Sequence, residues 1–447
     1  MKRQKEDKMC LAIPGKVESI AGNRILIDYL GEKRGALNED LDLNIGEYVF
    51  VQAGFVIQKV PEDIAVESLK IWKDKLGELK QLDHAIALKK LNLEQGSVRS
   101  EIKAILEKAE KSAQLTREEF LMLLKTNNEN ELRLLYKIAN KIRHDTIGNS
   151  CCVHGIIEFS NYCKNDCKYC GLRSENSKLK RYRMEVDEIV DAAVDAVENL
   201  GFKALVLQSG EDAYYATEKL VEIIKKIKER CGVVLFMSVG ERDKECYQKM
   251  YDAGAKGVLF RFETSNKNLY GQLHSSLKYK DRIEHLEFMA DVGFLIASGG
   301  LIGLPGQTEE DLLDDLLYAK KLNLEMVSFG PFIPHENTPL GNTKVIGLNN
   351  MLKFLAVARL VMPAGRILVT TALETLDNIE GRRLGLLAGA SSFMINITPA
   401  KYRELYSLYP DKAGAGMAVK ELIDEAMEIA LSLGRLPTDI KGYSNDY

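Results

Sequence analysis

Three of the chain's eight cysteines lie within one stretch of eight residues. Cys163, Cys167 and Cys170 have the spacing C-x3-C-x2-C and follow the apolar run 156–159. By chance, this spacing is expected in roughly one of a few hundred chains with this cysteine content. Cysteine thiolates bind iron–sulfur clusters, and three thiolates leave one iron of a 4Fe-4S cube open for another ligand. The spacing therefore predicts a cluster site, the alternative being three unrelated core thiols.

The residues between these cysteines favour a loop. Lys164, Asn165, Asp166 and Lys168 are polar, and such a run favours a turn over a continued strand or helix. A loop of this kind can wrap around a cluster. Tyr169, next to the third cysteine, is expected to shield the cluster.

Three further groups of polar residues each follow a strand-like run. The groups contain Gln208, Ser209, Gly210, Glu211, Ser238, Glu241, Arg261 and Glu263. A bound ammonium needs acceptors, and glycine lets the backbone approach a ligand closely. Arg261 and Glu263 are two apart on a strand and therefore share a face. They form either part of a site or a structural ion pair.

The cysteine motif resembles that of the radical S-adenosylmethionine (SAM) superfamily. The wider stretch 158–173 resembles HydE, the family of FeFe-hydrogenase maturases, and so do Gly-Pro-Phe-Ile-Pro-His at 330–335 and Thr-Pro-Ala-Lys-Tyr-Arg-Glu-Leu-Tyr at 398–406. The resemblance extends from about 116 to 445. It implies a reduced 4Fe-4S cluster that splits SAM into methionine and a 5'-deoxyadenosyl radical.

The resemblance also implies which residues hold SAM. Residues 208–211 match the superfamily's Gly-Gly-Glu element, with Ser209 in place of the first glycine, and would hold the SAM amino group. Glu263 would bond the ribose. Arg282 would pair with the carboxylate, for which a planar guanidinium is suited because it binds bidentately. Ser238, Glu241 and Arg261 complete the expected cofactor side.

For the substrate side, the resemblance implies that Thr370 and Thr371 line the cavity as hydroxyl donors. Tyr402 is expected to donate a hydrogen bond to a bound anion or to relay a radical, the alternative being a role in packing. Glu374 stands where HydE usually has glycine, so a carboxylate is expected to alter the cavity.

The start of the chain carries a second resemblance. Residues 9–17, Met-Cys-Leu-Ala-Ile-Pro-Gly-Lys-Val, and residues 46–59 resemble the HypC family of NiFe-hydrogenase chaperones. In that family the cysteine after the start Met binds an iron carrying cyanide and carbonyl, so Cys10 would take this role. Gln52 stands where the family usually has His. The alternative is a retained docking module.

Strand-like runs alternate with amphipathic helices from residue 156 onward. The runs are 156–159, 204–208, 233–238, 257–262, 294–299, 326–330, 367–372 and 392–397. Eight such units predict an α/β fold, a (βα)8 TIM-type barrel with its active site at the C-terminal strand ends.

Four domain segments are expected. They are a charged tail at 1–8, a small OB-like β-barrel at 9–77, a helical linker at 78–115, and the large barrel with N-terminal helices at 116–447. The β-rich runs 16–20, 24–29, 46–52 and 55–60 indicate the small barrel. Thr116 and Glu119 form a capping-box pattern at the start of a helix.

Composition narrows the class of protein. The net charge is −4, and nothing indicates binding to nucleic acid or to a membrane surface. Without an apolar signal core or a membrane-spanning run, we expect a cytoplasmic protein whose cysteines bind metal. No cysteine follows Tyr409, so the accessory cluster of some HydE proteins is expected to be missing. The other cysteines, Cys151, Cys152, Cys231 and Cys246, are expected to be buried small residues.

These observations favour a radical SAM enzyme that processes an iron–thiolate precursor carrying CO and CN in hydrogenase maturation. The expected cofactors are a 4Fe-4S cluster and SAM, with an iron carbonyl/cyanide fragment as a further candidate. Expected partners are a small-molecule or organometallic substrate, an electron donor such as ferredoxin or flavodoxin, and other maturation proteins. The alternatives are a carbon-skeleton mutase resembling methylornithine synthase and a non-catalytic iron carrier or scaffold.

Overall fold

The computed structural model describes residues 13–39, 41–94 and 96–438. Cys10 lies outside these residues. The described chain begins with five strands that form a closed barrel in the order β1-β2-β3-β5-β4, which we call the small barrel. Its strands are β1 (Gly15–Ala21), β2 (Arg24–Tyr29), β3 (Glu32–Leu37), β4 (Tyr48–Gln52) and β5 (Phe55–Val60).

The expected small β-barrel is confirmed, but β3 was not among the predicted strands. Its first four residues, Glu-Lys-Arg-Gly, have no apolar alternation. It forms because Leu30 and Gly31 both adopt positive φ and close a two-residue hairpin with β2.

Four helices connect the two barrels. They are α1 (Glu62–Leu88), α2 (Ser100–Glu110), α3 (Arg117–Lys125) and α4 (Glu129–Ile147). The capping box at Thr116 and Glu119 is present. Helix α1 runs across the expected boundary at 77/78. Its buried Asp83 accepts from the guanidinium of Arg143 in α4 at 2.7 and 2.8 Å, which ties α1 to the large barrel.

Eight parallel strands form the large barrel, which confirms the predicted fold. They are β6 (Cys152–Ser160), β7 (Ala204–Ser209), β8 (Val234–Ser238), β9 (Gly257–Leu259), β10 (Leu295–Ser298), β12 (Met326–Val327), β14 (Leu368–Val369) and β15 (Ser392–Asn396). The sheet order is β12-β10-β9-β8-β7-β6-β15-β14. A parallel bridge between Val327 and Ile367 joins the two edges. Two short strands, β11 (Leu301–Ile302) and β13 (Gly330–Pro331), pair above the C-terminal strand ends.

Helices between and after these strands cover the barrel. They are α5 (Val186–Glu198), α6 (Thr217–Arg230), α7 (Lys244–Asp252), α8 (Lys267–Leu273), α9 (Tyr279–Val292), α10 (Glu309–Lys321), α11 (Leu348–Val361), α12 (Thr371–Leu376), α13 (Gly381–Leu387), α14 (Ala400–Arg403) and α15 (Val419–Ser432). Among the described residues, no helix is both long and apolar enough to cross a bilayer.

The small barrel packs on the base of the large one. Phe50 and Ile57 share an apolar cluster with residues inside the large barrel. The ammonium nitrogen of Lys203, just before β7, lies 4.4 Å from the centre of the Phe50 ring. A Cβ added at Gly232, before β8, would lie 2.1 Å from the Ile57 carbonyl oxygen. These contacts, which we call the seam, involve the N-terminal strand ends. The small barrel therefore lies at the end opposite the cysteine loop (161–173).

Candidate active site

One cavity of about 320 Å³ opens at the C-terminal strand ends of the large barrel. Most of the residues predicted from the sequence line it. They are Cys163, Tyr169, Cys170, Gln208, Ser209, Gly210, Glu211, Ser238, Arg261, Glu263, Arg282, Thr370 and Thr371. This is the position at which a barrel of this kind carries its active site.

The three cysteines are half-buried and lie close enough to influence one another. Burial raises the pKa of Cys167 well above its usual range, and the neighbouring Cys170 and Cys163 raise it further. Burial and Cys163 raise the pKa of Cys170 to about 12. Three thiols so disposed ionise readily only when a cationic metal group compensates the charge.

The donor set fits a cluster rather than a single ion. Among the described residues, no three His, Cys, Asp or Glu side chains form a site for one metal ion. A cubane cluster differs because each thiolate binds a separate iron. Cys163, Cys167 and Cys170 are therefore the residues that would hold a 4Fe-4S cluster.

At Gly210, the C-terminal end of β7 packs directly against the cysteine loop. Its N–H donates to the Ser160 carbonyl at 3.0 Å, and the Lys164 N–H donates to the Glu211 carbonyl at 3.0 Å. A Cβ at Gly210 would lie 2.2 Å from the Tyr162 carbonyl oxygen, so glycine is required for this approach. Nearby, the Ser238 hydroxyl donates to Oε1 of Gln208 at 3.2 Å.

Tyr169 is held in place on the cavity wall. Its hydroxyl lies 3.2 Å from Nε2 of His274, whose Nδ1 contacts the Tyr270 carbonyl oxygen at 2.9 Å. Because Nδ1–H donates to that carbonyl, Nε2 is the acceptor and Tyr169 the donor. The ring is thereby fixed beside the cysteines, and its shielding of a cluster stays a prediction.

A chain of charged groups connects three strand ends. The Glu241 N–H donates to Oε1 of Glu211 at 2.7 Å, and Oε1 of Glu241 lies 3.1 Å from Nε of Arg282. Nε of Arg282 also donates to the Tyr270 hydroxyl at 3.2 Å. Burial raises the pKa of Glu241, and the Arg282 charge opposes that effect. Glu241 does not line the cavity itself but positions Arg282.

Arg261 and Glu263 form an ion pair, in which Nη2 of Arg261 lies 3.1 Å from Oε2 of Glu263, as their spacing predicts. Glu263 has φ +67, a strained value for a non-glycine residue. Among the described residues, no hydrogen-bond partner is found for three buried atoms at the cavity: Nε of Arg261, Oε2 of Glu263 and Oε2 of Glu211. The two carboxylate oxygens do lie within ion-pair distance of Arg261 and Lys164, respectively. Carboxylate acceptors beside the guanidinium of Arg282 suit the amino, ribose and carboxylate groups of SAM.

The cavity lining also contains polar residues that the sequence analysis missed. Tyr406, Tyr409 and Lys412 line the cavity with Glu158 and Asn396. The Lys412 ammonium pairs with Oε1 of Glu158, and Nδ2 of Asn396 donates a hydrogen bond to Oε2 of the same carboxylate at 2.8 Å. The register of β6 could have revealed Glu158, because it shares the inward face with Ile156.

Two predicted substrate residues have other roles. Tyr402 does not line the cavity: its hydroxyl contacts Glu188 at 3.0 and 3.1 Å and its ring stacks on Tyr182. The packing alternative is therefore the correct one. Glu374 is also outside the cavity lining, because Arg382 binds both of its oxygens at 2.8 and 3.0 Å.

Comparisons with known families agree with this architecture. The chain matches the Radical SAM superfamily over residues 157–319, the Biotin and Thiamin Synthesis associated domain over 328–417, and the HupF/HypC family over 9–72. The fold, the cysteine loop and these matches define a radical SAM enzyme with an N-terminal HupF/HypC domain.

The relatives specify the family. The [FeFe] hydrogenase maturase subunit HydE of Thermotoga maritima is 41% identical over 333 residues, which cover 74% of this chain and 94% of the relative. This chain belongs to the HydE family. A 3-methylornithine synthase of Methanosarcina acetivorans is 32% identical over 287 residues, covering 64% of this chain and 80% of the relative.

Solved structures share the large barrel. Methylornithine synthase (PylB) has a TM-score of 0.64 at 27% identity, covering 75% of this chain and 97% of its own. The maturase HydG from Carboxydothermus hydrogenoformans has a TM-score of 0.64 at 22% identity, covering 79% of this chain and 83% of its own. The HydG comparison concerns the fold alone.

Proposed function

We propose that this enzyme processes an iron–thiolate precursor carrying CO and CN during maturation of a hydrogenase cofactor. The observation that carries the proposal is a cavity whose lining combines two sets of groups. One set is the cysteine loop with nearby buried polar atoms that have no hydrogen-bond partner among the described residues. The other set is the hydroxyls of Thr370, Thr371, Tyr406 and Tyr409. Similarity to HydE supports the substrate class.

The first set of groups would hold the cofactors. Cys163, Cys167 and Cys170 would bind a 4Fe-4S cluster, Glu211 and Glu263 would accept hydrogen bonds from SAM, and Arg282 would bind the SAM carboxylate. Such a cluster, once reduced, would supply the electron for cleavage of SAM into methionine and a 5'-deoxyadenosyl radical. The chain's own part is to fix SAM between Gly210 and Arg282 and to exclude water beneath Tyr169.

The hydroxyl groups of the second set would hold the substrate. Neutral hydroxyls suit the diatomic ligands and sulfur of an iron–thiolate unit, because they donate hydrogen bonds to acceptors that need not carry a full negative charge. Thr370 also accepts from the Leu373 N–H at 3.3 Å, which positions its side chain at the start of α12. A ferredoxin or flavodoxin as electron donor, and other maturation proteins as partners, belong to the same proposal.

One observation favours a second candidate, a carbon-skeleton mutase acting on an amino acid. Such a substrate needs an opposite charge at each end. The ammonium of Lys412 and the carboxylate of Glu158 both line the cavity, and the ion pair between them would have to open to meet the two ends of such a substrate. The similarity to 3-methylornithine synthase supports this candidate.

The deciding experiment measures 5'-deoxyadenosine from the reduced enzyme with SAM and one added compound. The compounds are a cysteine-bound Fe–CO–CN complex and lysine, each compared with no addition. We expect the iron complex to stimulate SAM cleavage and to be consumed, while lysine has no effect. Stimulation by lysine, with a rearranged amino acid as product, would instead establish the mutase.

A further inference from the structure

The two ends of the cysteine loop are joined by a side chain that does not line the active-site cavity. Nη1 of Arg181 donates to the carbonyl oxygens of Asn161 and Leu172 at 2.5 and 2.9 Å. Nη2 donates to the Arg173 carbonyl oxygen at 2.7 Å. Because Asn161 begins the loop and Leu172 and Arg173 end it, one guanidinium holds both ends, with the three cysteines between them.

The segment that carries Arg181 is itself fixed against the loop. Nδ2 of the fully buried Asn161 donates to the Lys180 carbonyl oxygen at 2.9 Å, and the Tyr182 N–H donates to Oδ1 of Asn161 at 2.7 Å. Nη2 of Arg181 also donates to the Asn176 carbonyl oxygen at 3.4 Å. These contacts give the guanidinium one defined position relative to the cysteines.

Within the described chain, the hydrogen bonds of the Arg181 guanidinium are all to carbonyl oxygens and none is to a carboxylate. The neighbouring arginines differ, since Arg173 pairs with Glu175 at 2.6 Å and Arg183 with Asp212 at 2.7 Å. Burial lowers the pKa of Arg181, but a guanidinium stays protonated in a protein. The cysteine loop is therefore closed by a half-buried positive charge that forms no ion pair with a described residue.

This charge acts on two of the three cysteines. Burial raises the pKa of Cys163 and Cys170, and the Arg181 charge opposes the rise in both. The carboxylates of Glu211 and Glu263 act in the opposite direction, and each of them forms an ion pair with a cation of its own. Arg181 differs from these paired groups, because it adds a full positive charge beside the thiols.

The reduction potential of an iron–sulfur cluster depends on the net charge around it, on hydrogen bonds and on exposure. Reduction by one electron adds one negative charge and breaks no bond to a cysteine, so a nearby cation stabilises the reduced state. We propose that Arg181 raises the reduction potential of the cluster that Cys163, Cys167 and Cys170 would bind, through its charge, while it closes the loop that carries them. The inference rests on the cluster of the proposed function and concerns electron uptake rather than the substrate.

Three variants separate the charge of Arg181 from its hydrogen bonds. Arg181→Gln removes the charge and keeps a donor, whereas Arg181→Lys keeps the charge and loses the planar fork. Lys180→Gln is the matched control, because it removes an exposed charge from the adjacent residue, where water and salt screen it. Each full-length variant is reconstituted with iron and sulfide, and its iron content is measured before any comparison.

The midpoint potential is measured without SAM or substrate, by redox titration followed by electron paramagnetic resonance. At a fixed potential, we expect Arg181→Gln to lower the ratio of reduced to oxidised cluster about tenfold, as loss of a nearby buried unit charge would. For a one-electron couple this places the midpoint about 59 mV lower. Arg181→Lys and Lys180→Gln should keep the midpoint of the unmodified enzyme.

The proposal is overturned if a fully loaded Arg181→Gln variant keeps the unmodified midpoint. It is also overturned if Arg181→Lys lowers the midpoint as much as Arg181→Gln does, because loop geometry rather than charge would then set it. If Arg181→Gln binds no cluster, Arg181→Lys decides: an unchanged midpoint supports the role of the charge, and a lowered one overturns it. An unmodified enzyme without a reducible cluster would overturn both this inference and the cluster assignment, whereas an unchanged midpoint in Arg181→Gln leaves the proposed function intact.

Discussion

The ammonium of Lys412 contacts Oε1 of Glu158, which joins the loop after Tyr409 to the first strand of the large barrel. Both side chains are largely buried, at 9% and 3% exposure, and both line the active-site cavity. The segment beyond α14 is therefore attached to the barrel interior by a charge pair. This pair places one positive and one negative group in the cavity lining.

Lys412→Met should destabilise the enzyme, because it leaves the Glu158 carboxylate buried without its cation. Removing one partner of a buried ion pair costs about 3–5 kcal/mol of unfolding free energy. Denaturant unfolding of the anaerobic protein measures the change. Adding Glu158→Gln to Lys412→Met should recover part of the loss. Equal stability of Lys412→Met and the unmodified enzyme would show that the pair contributes nothing to folding.

Cys167→Ala should prevent assembly of the SAM-binding cluster. Cys167 is half-buried between the other two cysteines of the loop, and two thiolates cannot replace three for a cube. The measurement is the change that SAM causes in the electron paramagnetic resonance spectrum of the reduced cluster, which should vanish. Cys231→Ala, at the half-buried residue that follows α6 and precedes β8, is the control. A persistent SAM-dependent change in Cys167→Ala would contradict the cluster assignment.

The residues in these two predictions differ in whether the sequence alone could identify them. The cysteine loop was predictable because three thiols at fixed spacing constrain the chemistry locally. Lys412 was not, because its partner Glu158 is more than 250 residues away and no local pattern connects them. Tyr402 was misplaced for a related reason: its direction depends on the turn at Pro399 and on the ring of Tyr182. The end of the barrel that the small barrel occupies likewise depends on long-range packing.

Arg282→Ala should weaken SAM binding while the cluster still assembles. Loss of a bidentate carboxylate contact costs on the order of 1.5–3 kcal/mol, or roughly ten- to hundredfold in affinity. Equilibrium titration of the reconstituted enzyme with SAM measures this change in affinity. Lys280→Ala is the matched control, because its exposed side chain lies on the same helix. An unchanged affinity would make Arg282 a structural partner of Glu241 alone.

Gly210→Ala should block the close approach between β7 and the cysteine loop. The added methyl would meet the Tyr162 carbonyl oxygen at 2.2 Å, and backbone atoms cannot move aside as a flexible side chain can. We expect less iron per chain after reconstitution and lower SAM affinity. Gly271→Ala, in α8, has open space around the new methyl and should load normally. Full cluster loading of Gly210→Ala would show that this approach is not required.

Gly232→Ala should disturb the seam without disturbing the active site. Its methyl would lie 2.1 Å from the Ile57 carbonyl oxygen, so the small barrel must shift. Overpacking of this kind costs about 1–3 kcal/mol of stability. We expect faster limited proteolysis near α1 and a lower unfolding temperature, with SAM cleavage kept within about twofold, since the C-terminal strand ends are remote from the seam. Loss of SAM cleavage in a folded, cluster-loaded variant would mean instead that the small barrel shapes the cavity from below.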